Sequence, residues 1–194
     1  MNNITVFCAS SPGFQPEYVQ AAQATGHFLA ERNIALVYGG GRVGLMGALA
    51  DAVLEKGGKV IGVIPQFLMD LEVGHRGLTE LIVVESMHQR KLTMADLCDG
   101  FIALPGGFGT LEELVEILTW SQLALHRKPV GILNTNGYYN LLQQFFNHMV
   151  GEGLLKEANQ DLAIFEEEID QLYRKMTSFE HTITTKWVGD SHKT

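Results

Sequence analysis

Short apolar runs recur along the chain at residues 4–8, 34–38, 59–64, 81–84, 101–104 and 130–133, with a weaker one at 162–165. They are almost unbroken in Val, Ile, Leu and Phe, as strands covered on both faces require. Between them, apolar residues return at helical spacing over 18–32, 45–56, 87–98, 111–126 and 138–151. Strands alternating with helices predict an α/β, Rossmann-like three-layer fold, with a central, mostly parallel sheet and helices on both faces. No repeat or Pro/Ser-rich linker interrupts the pattern, so residues 1–184 read as one domain and the polar stretch 185–194 as a loosely ordered tail. Residues 66–80 lack clear periodicity and read as a long loop, a kind of segment that is often functional. In open sheets of this class ligands bind beyond the carboxyl ends of the strands. The polar or glycine-rich segments 9–13, 39–47, 66–80 and 105–110 are therefore expected to meet in one crevice.

The segment that points to chemistry is Pro105, Gly106, Gly107, Phe108, Gly109, Thr110, Leu111, Glu112 and Glu113, which joins an apolar run to a helical pattern. A strand, a glycine-rich turn and a helix N-terminus make an anion site, because bare backbone N–H groups and the positive end of the helix dipole face the same way. Thr110 and Glu113 also match the capping box T-x-x-E, in which Thr110 would be the cap and Glu113 would bond back to it. A plain cap has no use for three glycines in four positions, which favours a functional Glu113: a carboxylate beside a phosphate cradle. Glu112 and Glu116, four apart, read as a solvated face.

Other motifs sharpen or exclude. Gly39, Gly40, Gly41, Arg42, Val43 and Gly44 fit G-x-G-x-x-G, but the motif follows the second strand, and Ile64-Pro65-Gln66 stands where a ribose-binding acid is expected. It reads as a second backbone wall of the crevice rather than an NAD site. Ser86-Met87-His88-Gln89-Arg90-Lys91 opens a helix on which Met87, Arg90 and Lys91 share a face. Facing the crevice, Arg90 would meet a phosphate, a ribose hydroxyl or Glu113; facing water, the pair is a basic patch. His88 reads as a surface or packing histidine. Thr119 lies two turns beyond Thr110, too far to share one phosphate with it. The formal net charge of -8 argues against nucleic-acid binding, which concentrates Lys and Arg. Cys8 and Cys98 have no metal-ligand spacing and read as buried thiols in a reducing compartment. No run is long enough for a membrane span and the N-terminus is not a signal peptide, so a cytoplasmic protein is expected.

These motifs resemble those of the Lonely guy family of phosphoribohydrolases, formerly labelled lysine decarboxylases. Residues 105–113 match the family's P-G-G-x-G-T-x-x-E at every fixed position. Residues 87–91 match its Met-His-x-Arg-Lys, residues 39–47 its Gly-Gly-Gly-x-x-Gly-Leu-Met-Gly, and residues 6–11 its first strand and loop, with Ala9 where glycine is common. The resemblance spans roughly residues 4–155. It implies hydrolysis of the N-glycosidic bond of N6-substituted adenosine 5′-monophosphates (the cytokinin nucleotides) and of AMP, releasing the free base and ribose 5-phosphate without cofactor or metal. It further implies a catalytic pair, Arg90 and Glu113. Substrate contacts would come from Ser10, Gly41, Gly44, Glu72, Met87, Lys91, Thr119 and the loop Gly106, Gly107, Phe108, Gly109, Thr110, Leu111 and Glu112. The resemblance also implies a homodimer, the family's usual state, with sites near the subunit interface. Nothing in the chain supports a pyridoxal decarboxylase, which needs a Schiff-base lysine and a partner for the pyridine nitrogen. The competing class is a carrier or sensor of nucleotide or molybdenum cofactor without turnover, which would not need both Arg90 and Glu113.

Overall fold

A computed structural model describes residues 1–71 and 74–181. Seven strands form one parallel sheet: β1 (Asn3–Phe7), β2 (Ala35–Tyr38), β3 (Val60–Pro65), β4 (Glu80–Val84), β5 (Gly100–Ala103), β6 (Val130–Leu133) and β7 (Ala163–Glu166). Their order is β4-β3-β2-β1-β5-β6-β7, with every neighbouring pair parallel. The helices are α1 (Pro16–Glu31), α2 (Gly44–Glu55), α3 (Gln66–Asp70), α4 (Met87–Asp96), α5 (Phe108–Gln122), α6 (Asn140–Gly151), α7 (Glu157–Gln160) and α8 (Ile169–Thr177).

Alternation along each strand divides the core in two. Ile4, Val6, Leu36, Tyr38 and Ile102 pack with Phe28 and Leu29 of α1, Leu49 and Val53 of α2, and Leu172 and Met176 of α8. Phe7, Val37, Val63, Phe101 and Ala103 face the other way, onto Met94 of α4 and Leu114 and Ile117 of α5. Thr5 is buried in β1 at no hydrogen-bonding cost, since its hydroxyl donates to the Met94 carbonyl at 2.8 Å.

Some boundaries differ from the sequence expectation. The segment read as a loop over 66–80 begins with α3, whose five residues include none that is buried and so give no period to read. Helix α5 starts at Phe108 rather than 111 and ends at Gln122. Cys98, expected late in a helix, sits in the turn between α4 and β5; both cysteines are buried and free. The 185–194 tail lies outside the described residues. Among those described, no helix is long and apolar enough to cross a membrane.

The sheet order places the site. After β1 the chain adds β2, β3 and β4 on one side, then crosses to β5 on the other. The loops leaving β1 and β5 diverge, and the crevice between them is the switch point where such sheets take ligands.

Candidate functional site

Three loops are tied together at this point by backbone hydrogen bonds. Ala9 N–H donates to the Pro105 carbonyl at 3.3 Å, and the N–H groups of Leu45 and Met46 donate to the Ala9 carbonyl at 3.1 and 3.3 Å. Above them opens a cavity of about 580 Å³. Residues from all four expected segments line it: Ser10 after β1, Gly39 and Gly41 after β2, Leu68 of α3, and Gly107, Phe108, Gly109 and Thr110 after β5. Arg90 and Met94 of α4 and Glu113 of α5 complete the wall.

At its centre Arg90 and Glu113 form an ion pair. Nη1 of Arg90 donates to Oε1 of Glu113 at 2.9 Å and Nε donates to the Val63 carbonyl at 3.1 Å. Each residue is 8% exposed, so the pair is desolvated on all but its cavity side. Burial pushes the Glu113 carboxyl above its ordinary range, and the guanidinium beside it opposes that rise without cancelling it. Gly39 makes the arrangement possible: a Cβ there would stand 1.8 Å from Nη2 of Arg90. The same burial, reinforced by the charge of Glu113, raises the thiol of Cys8 at the cavity wall and keeps it protonated and inert.

The start of α5 supplies the complementary half. Its N-cap is Gly107, which offers no side-chain cap, and its first backbone bond runs from Leu111 N–H to the Gly107 carbonyl at 3.0 Å. The N–H groups of Phe108, Gly109 and Thr110 precede that bond and have no intrahelical acceptor. By contrast Ser86 caps α4, accepting from Gln89 N–H at 3.2 Å. The T-x-x-E box is thus not used as a cap: Thr110 lies inside the first turn and Glu113 is turned to Arg90. The three glycines also divide their work. A Cβ on Gly106 would meet the Thr110 hydroxyl at 2.1 Å, whereas Gly107 and Gly109 face open space. A small anion at this helix end would find several N–H donors, the dipole and Arg90 together. Among the described residues no three His, Cys, Asp or Glu side chains cluster to hold a metal ion.

Of the residues named from sequence, Ser10, Gly41, Arg90, Gly107, Phe108, Gly109, Thr110 and Glu113 share the cavity. Gly44 braces it, at a positive φ of 63° and so close to the first loop that a Cβ would overlap the Ser10 carbonyl carbon at 2.2 Å. Leu111 packs into the core beneath. Lys91 is directed away from the cavity, where it pairs with Glu112 and, at 2.9 Å, with Glu116. That contact corrects the reading of Glu112 and Glu116 as a purely solvated face. Met87 stands exposed at the start of α4. Thr119 donates to the Val115 carbonyl at 2.7 Å and borders a separate hollow with Phe146 and Met149 of α6. Glu72 lies outside the described residues. Sequence reasoning did not single out the apolar walls Met46, Ile64, Leu68 and Met94 as such; Ile64 and Met94 belong to ordinary apolar patterns, Met46 enters only as part of the 39–47 motif and Leu68 only as part of the 66–80 segment. It also missed Tyr138 and Tyr139, whose hydroxyls reach the carbonyls of Gly106 and Leu104, both at 2.7 Å.

Comparison with known proteins places the chain in a family. Residues 46–176 match the family model described as "Possible lysine decarboxylase". The chain is 48% identical over 190 residues to the Arabidopsis thaliana cytokinin riboside 5′-monophosphate phosphoribohydrolase LOG7, covering 96% of this chain and 88% of that protein. It is 50% identical over 169 residues to the enzyme of the same name from Rhodococcoides fascians, covering 87% and 85% respectively. Among solved structures, the molybdenum cofactor binding protein from Rippkaea orientalis superposes with a TM-score of 0.66 at 18% identity, over 91% of this chain and 94% of that one. The Moco carrier protein from Chlamydomonas reinhardtii does so with a TM-score of 0.66 at 21% identity, over 89% and 98%. At those identities the two structures share the fold, whereas the sequence relatives match most of the length of both chains at about half identity. The glycine loops, the Arg90–Glu113 pair and these relatives together make the chain a member of the family described as possible lysine decarboxylases, among relatives that are named cytokinin riboside 5′-monophosphate phosphoribohydrolases.

Proposed function

We propose that the protein hydrolyses the N-glycosidic bond of N6-substituted adenosine 5′-monophosphates, and of AMP, to the free base and ribose 5-phosphate. The observation that carries this reading is one cavity holding both an uncapped helix N-terminus and a desolvated Arg90–Glu113 pair. Backbone N–H groups at residues 107–110 anchor the 5′-phosphate and so fix the ribose, a use of remote binding energy to position the reacting carbon. As the C1′–N9 bond breaks, its electrons leave with the base and positive charge builds on the sugar. The Glu113 carboxylate stabilises that charge and accepts a proton from the water whose oxygen bonds to C1′. Arg90 keeps the carboxylate ionised and in place, and binds ribose or phosphate oxygens. The base takes its proton from solvent, and no step calls on a cofactor or metal. The relatives' names support this substrate class, and the apolar walls Ile64, Leu68 and Met94 suit a base with an apolar N6 substituent. Exposed Leu92, Val115, Leu123 and Leu125 on and after α4 and α5 support a homodimer, which sedimentation velocity would reveal. A cytoplasmic enzyme fits the free thiols.

The test is to incubate the protein with AMP, N6-isopentenyl-AMP and other nucleoside monophosphates and to measure ribose 5-phosphate. Release from the adenine nucleotides is expected. Release from none of them overturns the proposal and leaves a binding protein on the same fold.

A further inference from the structure

Leaving β5, three successive carbonyls each accept a hydrogen bond, two from the adjacent Tyr138 and Tyr139 beyond β6 and one from the loop after β1. The hydroxyl of Tyr139 donates to Leu104 at 2.7 Å, Ala9 N–H donates to Pro105 at 3.3 Å, and the hydroxyl of Tyr138 donates to Gly106 at 2.7 Å. The third bond has a consequence for the cavity. In a planar trans peptide the C=O and N–H vectors point opposite ways. Holding the Gly106 oxygen toward Tyr138 therefore turns the N–H of Gly107 to the other side, and Gly107 lines the cavity. A Gly–Gly peptide has no side chain to fix its plane and loses more freedom on ordering than any other. Gly107 in particular has open space where a Cβ would be.

Tyr138 is itself well held. It follows the short 3-10 turn Thr135–Gly137 beyond β6. Its ring stands edge-on to Tyr18 and to Tyr139, with centroids 5.6 and 5.0 Å away. Asn134 fixes the pair from below, accepting from Tyr139 N–H at 2.7 Å while its amide donates to Asn140 at 2.7 Å. We infer that Tyr138 is a positioning residue for the anion subsite: its hydroxyl sets the plane of the Gly106–Gly107 peptide, so that Gly107 N–H joins those of Phe108, Gly109 and Thr110 in holding a phosphoryl group. Tyr138 does not line the cavity and acts through Gly107. The identity of that group as a nucleotide 5′-phosphate rests on the function proposed above; the subsite itself does not.

The test compares the wild-type protein with Tyr138→Phe, which keeps the ring packing and removes only the donor. Each is titrated with inorganic phosphate, ribose 5-phosphate and adenosine, and assayed with AMP. Binding of phosphate and ribose 5-phosphate should weaken about tenfold, the scale of one hydrogen bond to a charged group. KM for AMP should rise by a similar factor with kcat within roughly threefold, as for loss of binding shared by ground and transition states. Adenosine, which lacks the phosphate, should bind both proteins alike. Equal phosphate affinity in the two proteins, equal loss for adenosine, or no phosphate binding by the wild type would each overturn the inference. A wild type that binds phosphate yet releases ribose 5-phosphate from no nucleotide would sink the hydrolase reading alone, and the phosphate titration would still decide the role of Tyr138.

Discussion

Arg90→Ala is the substitution whose consequences the structure specifies most fully. Arg90 makes two side-chain bonds, to Glu113 at 2.9 Å and to the Val63 carbonyl at 3.1 Å, with both charged groups almost wholly out of water. Removing the guanidinium leaves a carboxylate buried without its counterion, which costs about 3–5 kcal/mol. In a chain of this length that corresponds to a fall in melting temperature of roughly 6–20 °C. Glu113 can lessen the loss by taking up a proton, at about 1.4 kcal/mol per pH unit, so the variant should recover stability as the pH falls. Adding Glu113→Gln removes the stranded charge altogether. The double variant should then be more stable at neutral pH than Arg90→Ala alone, while both stay at least 10²-fold below wild type in turnover, the scale of losing one positioned polar group. Urea unfolding of the four proteins, beside ribose 5-phosphate release, closes the cycle. A loss below about 1 kcal/mol in Arg90→Ala would mean that the pair is solvated like an ordinary surface bridge. Full turnover without Arg90 would remove it from the mechanism.

Glu113→Gln alone should abolish turnover while AMP binding persists by isothermal titration, since the amide oxygen can still accept from Arg90; normal hydrolysis would dismiss Glu113 as the reacting group. Because the ionised carboxylate is the working form and burial raises its proton affinity, activity should climb with pH through a limb above the usual carboxylate range, and a limb at ordinary carboxylate pH would contradict that. The native state holds that proton more tightly than the unfolded chain, so over the window from the ordinary carboxylate range up to the raised value Glu113 makes stability fall as pH rises. Glu113→Gln should flatten that slope in melting curves. Gly39→Ala, whose new Cβ would stand 1.8 Å from Arg90 Nη2, should depress turnover much as loss of Arg90 does, and an unimpaired variant would show that the guanidinium can move aside without cost.

The fold was legible because β1, β2, β3, β5 and β6 are buried along both faces, which leaves near-continuous apolar runs that polar helix faces interrupt. The convergence of the glycine loops followed from strand polarity alone. What stayed hidden was anything a periodicity cannot encode. Helix α3 buries nothing, and α5 begins on Phe108 and Gly109, residues chosen for the cavity rather than for helix propensity. The capping box is set aside for a related reason: T-x-x-E describes a local bond, but a guanidinium arriving from α4 is a stronger partner for Glu113 than a backbone N–H. The contribution of Tyr138 and Tyr139 was invisible, because a hydroxyl meeting a carbonyl more than thirty positions away leaves no mark on spacing.

Two consecutive residues of α4 contact two consecutive residues of α5, and the order in which they do so explains how the site keeps its geometry. Arg90 meets Glu113 on the cavity side, while Lys91, one position on, meets Glu112 and Glu116 on the outer side. Successive residues on a helix point about 100° apart, so the two bridges pin the helices to each other from different directions. The outer bridge touches nothing in the cavity, yet it restrains sliding of α4 along α5, the motion that would part Arg90 from Glu113. A single bridge would allow rotation about itself; two that are not collinear do not. The Lys91 side chain is buried, but its partners Glu112 and Glu116 are 55% and 27% exposed against 9% for Glu113, so the outer bridge carries a smaller share of stability than the inner one. Lys91→Met should therefore cost little in melting temperature and more in turnover, lowering kcat with KM for AMP nearly unchanged, because the phosphate cradle at the start of α5 stays intact. A loss confined to KM would instead make Lys91 a direct ligand of the substrate.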